Sequence, residues 1–376
     1  MSNLRKSMAK PMVGLCSTPN PGALLEEDVE EGDSSSASSM SSTGTLVPRE
    51  NYQTAVSAAV WSEYFDEELY LRDSTRAATY HVYITAPRTT TKDPLFVCHH
   101  GAGSSGLSFA RTCMRIREGL PEAGVMSVEA RNHGSVVLDA KGQISHDYSL
   151  DALADDLYAM ICLTQAKLQW QSLPNVVLLG HSLGGAVVTR LACRPSLGRQ
   201  LIGYAVIDVV EGSAMDALKS MKTYLASRPA SFASVEEAID WHVRSRTIRN
   251  PASAGISTPP LLRETPSGRW VWATDLISTQ PFWEDWFAGM SANFLSGRAA
   301  KLLLLAGTDR LDKELMIGQM QGKFQLQVFP EAGHFVHEDV PEKLADIMLE
   351  FCKRNDRSLL VLPPKVSDLL AQGKKI

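Results

Sequence analysis

Short apolar runs alternate with amphipathic stretches from about residue 60 to about residue 355. Runs that are short and apolar throughout are typical of strands buried on both faces of a parallel sheet. The predicted strands cover residues 79–86, 95–100, 125–130, 175–180, 204–210, 301–307 and 324–329. Helical spacing of apolar positions is found at 105–120, 150–169, 184–194, 312–320 and 341–354. Because strands and helices alternate, we predict an α/β fold with a doubly wound, mostly parallel sheet.

This alternation stops between the strand that ends at residue 210 and the strand that begins at residue 301. The intervening sequence is helical in pattern and rich in tryptophan, and a connection of this length needs structure of its own. We predict that residues 211–295 form an inserted helical cap over the carboxyl ends of the strands, where open α/β sheets bind ligands. Within the cap, the segment 250–268 is predicted to be a mobile loop.

The two ends of the chain differ from the middle. Residues 1–50 combine an acidic run with a Ser-rich tract, and such a segment cannot bury enough apolar surface to offset its ordering entropy. A disordered tail is therefore predicted there. The core is then expected to comprise residues 55–210 and 296–356, and residues 357–376 form a C-terminal tail.

Composition narrows the choice of partners and location. A net charge of −5 argues against nucleic-acid binding, and no apolar run reaches the ~20 residues that cross a bilayer, so neither nucleic acid nor membrane is expected. Cysteines are scattered without a CxxC pair, which is typical of a reducing compartment and predicts the cytoplasm, with the nucleus as a second location. Metal-binding and nucleotide-binding motifs are missing from the sequence, so we expect no metal and no cofactor.

The strongest chemical signal is the sequence Gly180-His181-Ser182-Leu183-Gly184. It follows an apolar strand and precedes a helix of small residues, which is the context of the G-x-S-x-G nucleophile elbow. The flanking positions of that turn must be small, and the helix directs its positive end toward the serine. Ser182 is therefore the candidate nucleophile of a serine hydrolase with an α/β-hydrolase fold.

A serine hydroxyl is a weak nucleophile until a base takes its proton. His334 is the candidate base, because it lies in a loop after the last predicted strand and the triad histidine comes last in this fold. His337 is interpreted as a packing or helix-start residue. His181 precedes the nucleophile, and we expect the turn to point its side chain away from the base.

The acidic member of the triad is less certain from the residue pattern. Asp309 and Asp208 both stand at strand ends, and either gives the order Ser, Asp, His along the chain. The pattern alone favours Asp309 modestly, because it follows the penultimate strand. Glu211 and Asp312 are weaker candidates.

Two backbone N–H groups are needed to stabilise the oxyanion. One is expected from Leu183, directly after the nucleophile, and the other from Ala102 in the loop after the second predicted strand. Gly101 and Gly103 let the backbone of this loop approach the substrate closely. His133 is expected to hold loops together by hydrogen bonds.

At these residues the sequence resembles the protein phosphatase methylesterases. The resemblance runs from about residue 55 to about residue 355 and includes blocks far more distinctive than a generic hydrolase motif. These blocks are WSEYF (61–65), GHSLGGA (180–186), IDVVEGSAMDAL (207–218), RWVWATDL (269–276), FWEDWFAGMSANFLS (282–296), LLLLAGTDRLDKELMIGQMQGKFQLQV (302–328) and GHFVHED (333–339).

The resemblance implies a function and a triad. Members of this family remove the methyl ester from the carboxyl-terminal leucine of the protein phosphatase 2A catalytic subunit. The family's acid is the aspartate of IDVVEG, which implies a triad of Ser182, Asp208 and His334, with Asp309 kept as the alternative acid. The implied partners are that catalytic subunit with its C-terminal tail, and the scaffold subunit of the phosphatase.

Substrate contacts are expected in the cleft between cap and core. We predict that Gly101, Gly103, Trp270 and Trp283 bind the substrate there. Two rival functions are a small-molecule carboxylesterase or thioesterase and a binding protein that sequesters the phosphatase. The blocks outside the triad argue against the first, and an intact triad argues against the second as the sole function.

Overall fold

A computed structural model describes residues 60–307 and 311–356. The tails predicted at 1–50 and 357–376 lie outside these residues, as does Asp309. The strands are β1 (Glu67–Asp73), β2 (Ala78–Thr85), β3 (Leu95–His99), β4 (Gly124–Val128), β5 (Val136–Val137), β6 (Val176–His181), β7 (Leu201–Ile207), β8 (Leu262–Glu264), β9 (Trp270–Trp272), β10 (Ala300–Leu305) and β11 (Gln325–Val328). The helices are α1 (Ala110–Gly119), α2 (Leu150–Lys167), α3 (Leu183–Ala192), α4 (Glu211–Ser227), α5 (Val235–Arg244), α6 (Pro251–Ser257), α7 (Trp283–Phe287), α8 (Met290–Ser296), α9 (Lys313–Met320), α10 (Val336–Asp339) and α11 (Pro341–Asn355).

The main sheet is mixed at one edge and parallel elsewhere. Its strand order is β1-β2-β4-β3-β6-β7-β10-β11, with the short β5 paired to β2. The pairs β1–β2 and β2–β4 are antiparallel, and every pair from β4 to β11 is parallel. The predicted doubly wound, mostly parallel sheet is therefore confirmed. Strand β1 was not predicted, because charged residues occupy most of its exposed positions.

Apolar layers cover both faces of this sheet. Successive strand residues point to opposite sides, so Val97 joins one core cluster and Cys98 the other. Helices α2 and α3 pack on the first side, and α1 and α11 pack against each other on the second. None of the helices in the described residues is long and apolar enough to cross a membrane.

The chain leaves the core after β7 and returns at β10. Residues 211–295, all of them described, form helices α4 to α8 and the antiparallel hairpin β8–β9. This insertion has small apolar clusters of its own, including one built on Phe232, Ala238 and Leu262. It occupies the position for which the sequence predicts a cap, and hereafter we call it the cap.

The segment 250–268 corrects the expectation of a loop. It contains helix α6 and strand β8. Asn250 caps α6 by accepting hydrogen bonds from the backbone N–H groups of Ala252 and Ser253, and Pro251 occupies the first helical turn, where its missing N–H costs nothing. The helix is too short for hydrophobic periodicity to reveal it. Its small residues are buried, and the Ser253 hydroxyl donates to the backbone oxygen of Glu338.

Candidate active site

The turn between β6 and α3 presents Ser182 at the carboxyl edge of the sheet. Its backbone has φ of 51° and ψ of −119°, a sparsely populated combination that is typical of strained nucleophile turns. A Cβ at Gly180 would collide with the backbone of Gly184, and a Cβ at Gly184 would collide with the carbonyl oxygens of His99 and His100. Both glycines are therefore required by the close approach of backbone around the serine.

His334 and Asp208 meet beside this turn. The Nδ1 atom of His334 lies 2.8 Å from Oδ2 of Asp208, and the aspartate side chain is fully buried. The other carboxylate oxygen of Asp208 accepts the backbone N–H of Ala306 at 2.9 Å, which fixes its orientation. A carboxylate that holds the Nδ1 proton leaves Nε2 of the imidazole as the basic atom.

The other acid candidates have different surroundings. Asp309 lies outside the described residues. Glu211 accepts the backbone N–H of Gly289 at 2.9 Å, and Asp312 caps α9 by accepting the backbone N–H of Leu315 at 3.0 Å. Both of these carboxylates therefore accept backbone N–H groups at the start of helices, Glu211 before α8 and Asp312 in α9.

The candidate nucleophile and the candidate base line one pocket. Ser182, Asp208 and His334 all contribute to its wall. Among the described residues, no hydrogen bond joins the Ser182 hydroxyl to His334, although both side chains line the same pocket.

The loop after β3 faces the nucleophile. Leu183 is the first residue of α3, so its backbone N–H has no acceptor within the helix. The N–H of Gly103 is already used, because it donates to Nε2 of His133 at 2.9 Å. The N–H of Ala102 has no acceptor among the described residues. The two donors predicted for an oxyanion, Ala102 and Leu183, are thus both free, and both residues line the pocket.

Two neutral histidines hold this loop. His100 donates from Nδ1 to the oxygen of Gly101 at 2.7 Å and accepts the N–H of Ala130 at Nε2. His133 donates from Nδ1 to the oxygen of Arg131 while its Nε2 accepts from the loop. Burial lowers the pKa of His100 to about 4 and that of His133 to about 3. Both rings therefore keep an unprotonated nitrogen as acceptor at neutral pH.

The position of His181 corrects the expectation that it points away from the base. Its Nε2 donates to the backbone oxygen of His334 at 2.9 Å, and the two rings are 4.6 Å apart. Burial lowers the pKa of His181 well below its ordinary value, so this ring is neutral as well. His337 is fully buried in α10 and stacks on Phe109 at 4.3 Å, which agrees with its interpretation as a packing residue.

The cap completes the pocket. Side chains from α4, α5 and α7 and the loops of the cap form much of its wall, and they are mostly apolar. Gly101, Gly103 and Trp283, three of the residues predicted to contact the substrate, line the pocket, the glycines from the core and the tryptophan from the cap. The cavity volume is about 130 Å³, close to the 150 Å³ or so of a dry cavity that holds benzene. A space of this size suits one apolar side chain.

The prediction for Trp270 is corrected. Trp270 is not among the residues that line this pocket, whereas Trp272 is. In the β8–β9 hairpin Trp272 pairs with Leu262, and Trp270 pairs with Glu264 at the far end. The backbone of Trp270 is instead tied to Phe232. Both tryptophans lie in one short strand, two residues apart, and only Trp272 is at the end of the hairpin that borders the pocket.

Two charged residues of the pocket were not predicted from the sequence. Arg228 follows α4 and lies over the ring of Trp272. Glu338 is almost fully buried in α10 and accepts a hydrogen bond from the Ser257 hydroxyl; burial raises the pKa of its carboxyl well above the ordinary value. No motif marks either residue, although Glu338 lies one helical turn after His334 in the sequence.

Comparisons with known proteins agree with this geometry. The sequence model of the alpha/beta hydrolase family matches residues 96–347. A Neurospora crassa protein named protein phosphatase methylesterase 1 is 51% identical, over 95% of this chain and 90% of its own length. The Aspergillus fumigatus protein of the same name is 52% identical, over 99% of this chain and 94% of its own length. The solved structure of E-2-(acetamidomethylene)succinate hydrolase superposes with a TM-score of 0.60 at 18% identity, covering 76% of this chain and all of that chain, and supports the fold alone.

The fold and the nucleophile turn define an α/β hydrolase, and the family match agrees. More narrowly, the chain belongs to the protein phosphatase methylesterase family, because the relatives of that name match nearly its whole length at about half identity. It is a carboxylic ester hydrolase.

Proposed function

We propose that this protein removes the methyl ester from the carboxyl-terminal leucine of the protein phosphatase 2A catalytic subunit. The observation that carries the proposal is the 51% identity to a protein phosphatase methylesterase 1 over 95% of the chain, since the match includes the cap as well as the core. The pairing of His334 with Asp208 at 2.8 Å supports a serine mechanism.

The first half of the reaction forms an acyl-enzyme. His334 takes the hydroxyl proton of Ser182, and the serine oxygen attacks the ester carbonyl carbon. The N–H groups of Ala102 and Leu183 stabilise the negative oxygen of the tetrahedral intermediate. The intermediate collapses, the bond to the methoxy oxygen breaks, and His334 returns its proton to release methanol.

The second half reverses these roles. Water gives a proton to His334 and its oxygen attacks the acyl carbon. The serine oxygen then leaves and regains a proton from the imidazolium. The products are a free leucine carboxylate and the unmodified Ser182. Asp208 stabilises the imidazolium in both halves without being protonated itself.

The pocket supports a leucine as the acylating residue. Its volume of about 130 Å³ accommodates one aliphatic side chain, and apolar residues of the cap form much of its wall. We propose that the flexible C-terminal tail of the phosphatase catalytic subunit enters between cap and core, and that the scaffold subunit is present in the complex. The cytoplasm, and also the nucleus, are the proposed locations.

Demethylation of carboxymethylated phosphatase by the purified protein tests this function. Methyl loss is expected with the wild type and with Ser220→Ala, an exposed serine of α4, and no loss with Ser182→Ala. In a contrary result, the phosphatase keeps its methyl group with all three proteins while the wild type still hydrolyses p-nitrophenyl acetate. That result would overturn the assignment of the substrate but not the assignment as a serine hydrolase. A cellular effect that persists in Ser182→Ala would favour sequestration of the phosphatase.

A further inference from the structure

Arg228 has an unusual position for a charged residue. Arg228 directly follows α4 and precedes Pro229, so its side chain starts at the C-terminal end of the helix. The side chain lines the active-site pocket and also borders a small crevice beside Gly103. The guanidinium therefore lies on the side of the pocket that holds the oxyanion loop.

Its orientation is fixed by an aromatic ring. The Cζ atom of Arg228 lies 4.3 Å from the ring centroid of Trp272. The indole N–H of Trp272 donates to the backbone oxygen of Pro229 at 2.8 Å, which ties the ring to the residue next to the arginine. The guanidinium plane is thus preorganised, and one of its faces is covered.

The charge of Arg228 is not compensated by a carboxylate. Among the described residues it forms no ion pair, and its Nε is buried without an acceptor. Its titratable neighbours Tyr224 and His242 are neutral: burial raises the pKa of the tyrosine and lowers that of the histidine to about 4. Arg131, a buried arginine of the core, shows the usual arrangement, with Asp156 at 2.6 Å.

A desolvated cation without a counter-charge is unfavourable unless a ligand completes it. The helix end and the indole ring compensate for only part of the charge. The open positions of the guanidinium are N–H donors, and a planar fork of donors matches a carboxylate in two parallel hydrogen bonds. The guanidinium of Arg228 is therefore suited to bind a carboxylate in the pocket.

We propose that Arg228 is a specificity-determining residue that binds a carboxylate of the substrate peptide. The proposal rests on the proposed function in taking the substrate to be a peptide with an esterified C-terminal leucine. The carboxylate has two possible sources in such a peptide. It belongs either to an acidic side chain shortly before the leucine or to the terminal carboxylate that hydrolysis produces.

The test measures equilibrium binding in the Ser182→Ala background, where no probe is consumed. The probes are acetylated tetrapeptides that end in leucine methyl ester, with one aspartate or one asparagine at each of the three preceding positions, and the free acids of the asparagine peptides. Arg228→Met removes the charge, Arg228→Lys keeps it without the planar fork, and Arg263→Met, an exposed arginine of β8, is the matched control.

In Ser182→Ala with Arg228 intact, we expect one of two results. Either an aspartate peptide binds about tenfold more tightly than the matching asparagine peptide, or a free acid binds about tenfold more tightly than its methyl ester. The first result identifies the side chain as the source, and the second identifies the terminal carboxylate. Arg228→Met is expected to abolish the preference while neutral probes bind within about twofold, Arg228→Lys to retain part of it, and Arg263→Met to leave it intact.

Three results would overturn the proposal. The first is that no probe with a carboxylate binds more tightly than its neutral partner. The second is a carboxylate preference that is unchanged in Arg228→Met. The third is an equal loss of affinity for neutral and acidic probes in a folded Arg228→Met protein, which would indicate a structural role. Binding that fails for every peptide counts as the first of these. Failure of the proposed function is a separate result, because it appears as unchanged methylation of the phosphatase.

Discussion

The α/β core and the cap contribute to one pocket in different ways. The core positions its groups by backbone geometry: the strained turn at Ser182 and the buried pairing of Asp208 with His334 leave little freedom. The cap contributes a wall of larger side chains on short helices and a two-stranded hairpin. The candidate catalytic groups thus stand at strand ends that the whole sheet supports, whereas most of the apolar wall belongs to an insertion outside that sheet.

The largest effect is expected from the nucleophile itself. Ser182→Ala should lower kcat by about 10⁴–10⁶-fold, because the remaining groups have no atom to acylate. Hydrolysis of p-nitrophenyl acetate measures this loss, and circular dichroism shows whether the fold persists. Ser220→Ala is the control on the cap helix α4. Substantial activity in Ser182→Ala would place the chemistry outside the elbow.

The acid of the triad is tested by a pair of amides. Asp208→Asn should lower kcat by about 10³–10⁴-fold, because an amide no longer holds the Nδ1 proton of His334. Asp309→Asn should change kcat far less. A larger loss for Asp309→Asn would identify Asp309 as the acid, and equal losses would contradict the assignment of Asp208 as the only acid. Both variants should keep the wild-type melting temperature within a few degrees.

The rigidity of the core elbow predicts a loss of stability. Gly184→Ala should destabilise by about 3 kcal/mol or more, because the added Cβ meets the carbonyl oxygens of His99 and His100 and has no free space. Gly142→Ala is the matched control: its φ is 75°, and no atom lies within 4 Å of the added Cβ. That change should cost about 1 kcal/mol from backbone strain alone. Urea unfolding gives both values, and equal values would contradict a crowded elbow.

A smaller and more selective effect is expected in the cap. Met221→Ala enlarges the α4 wall of the pocket, so it should shift the ratio of kcat/KM for leucine and phenylalanine methyl esters by about tenfold toward phenylalanine. Hydrolysis of p-nitrophenyl acetate should be unchanged. Met316→Ala, on the half-exposed surface of α9, is the control. A parallel loss on every ester would indicate that the cap supports the triad as well as the substrate.

The most gradual effect concerns pH. The pKa of His100 is lowered to about 4 and that of His133 to about 3, so the folded protein binds fewer protons than the unfolded chain between these values and about 6.5. Their contribution to stability is complete above about pH 6.5 and is lost as pH falls, by up to about 1.4 kcal/mol per pH unit for each ring.

Urea unfolding at several pH values measures this dependence. His133→Gln, which keeps an acceptor for the N–H of Gly103, should flatten the acid limb by the share of one ring. The opposing contribution of Glu129, whose pKa burial raises to about 8, is lost as pH rises from about 4.5 to about 8, so it overlaps the upper part of the acid limb, and Glu129→Gln removes it. An acid limb that is unchanged in His133→Gln would contradict the assignment of a buried neutral ring.

Much of the core was accessible from the sequence because its signals are local. The parallel strands appear as short apolar runs, and the elbow appears as glycines around Ser182 at a strand–helix junction. Both depend on residues that are neighbours along the chain. The mistakes lie where distant segments meet. His181 turned out to support the loop of His334, and the segment 250–268 formed a helix because Asn250 caps it and α10 packs on it.

By itself, the sequence determined the sheet and the family and gave the candidates for nucleophile and base, because apolar periodicity, a turn that only glycine permits and long distinctive blocks are written in consecutive residues. Only the tertiary structure decided that Asp208 lies 2.8 Å from His334, that Trp272 and not Trp270 faces the pocket, and that Arg228 stands there without a carboxylate partner among the described residues. These facts depend on distances between segments far apart in the chain. Strand order, hairpin register and the docking of the cap set those distances, and no single stretch of sequence contains them.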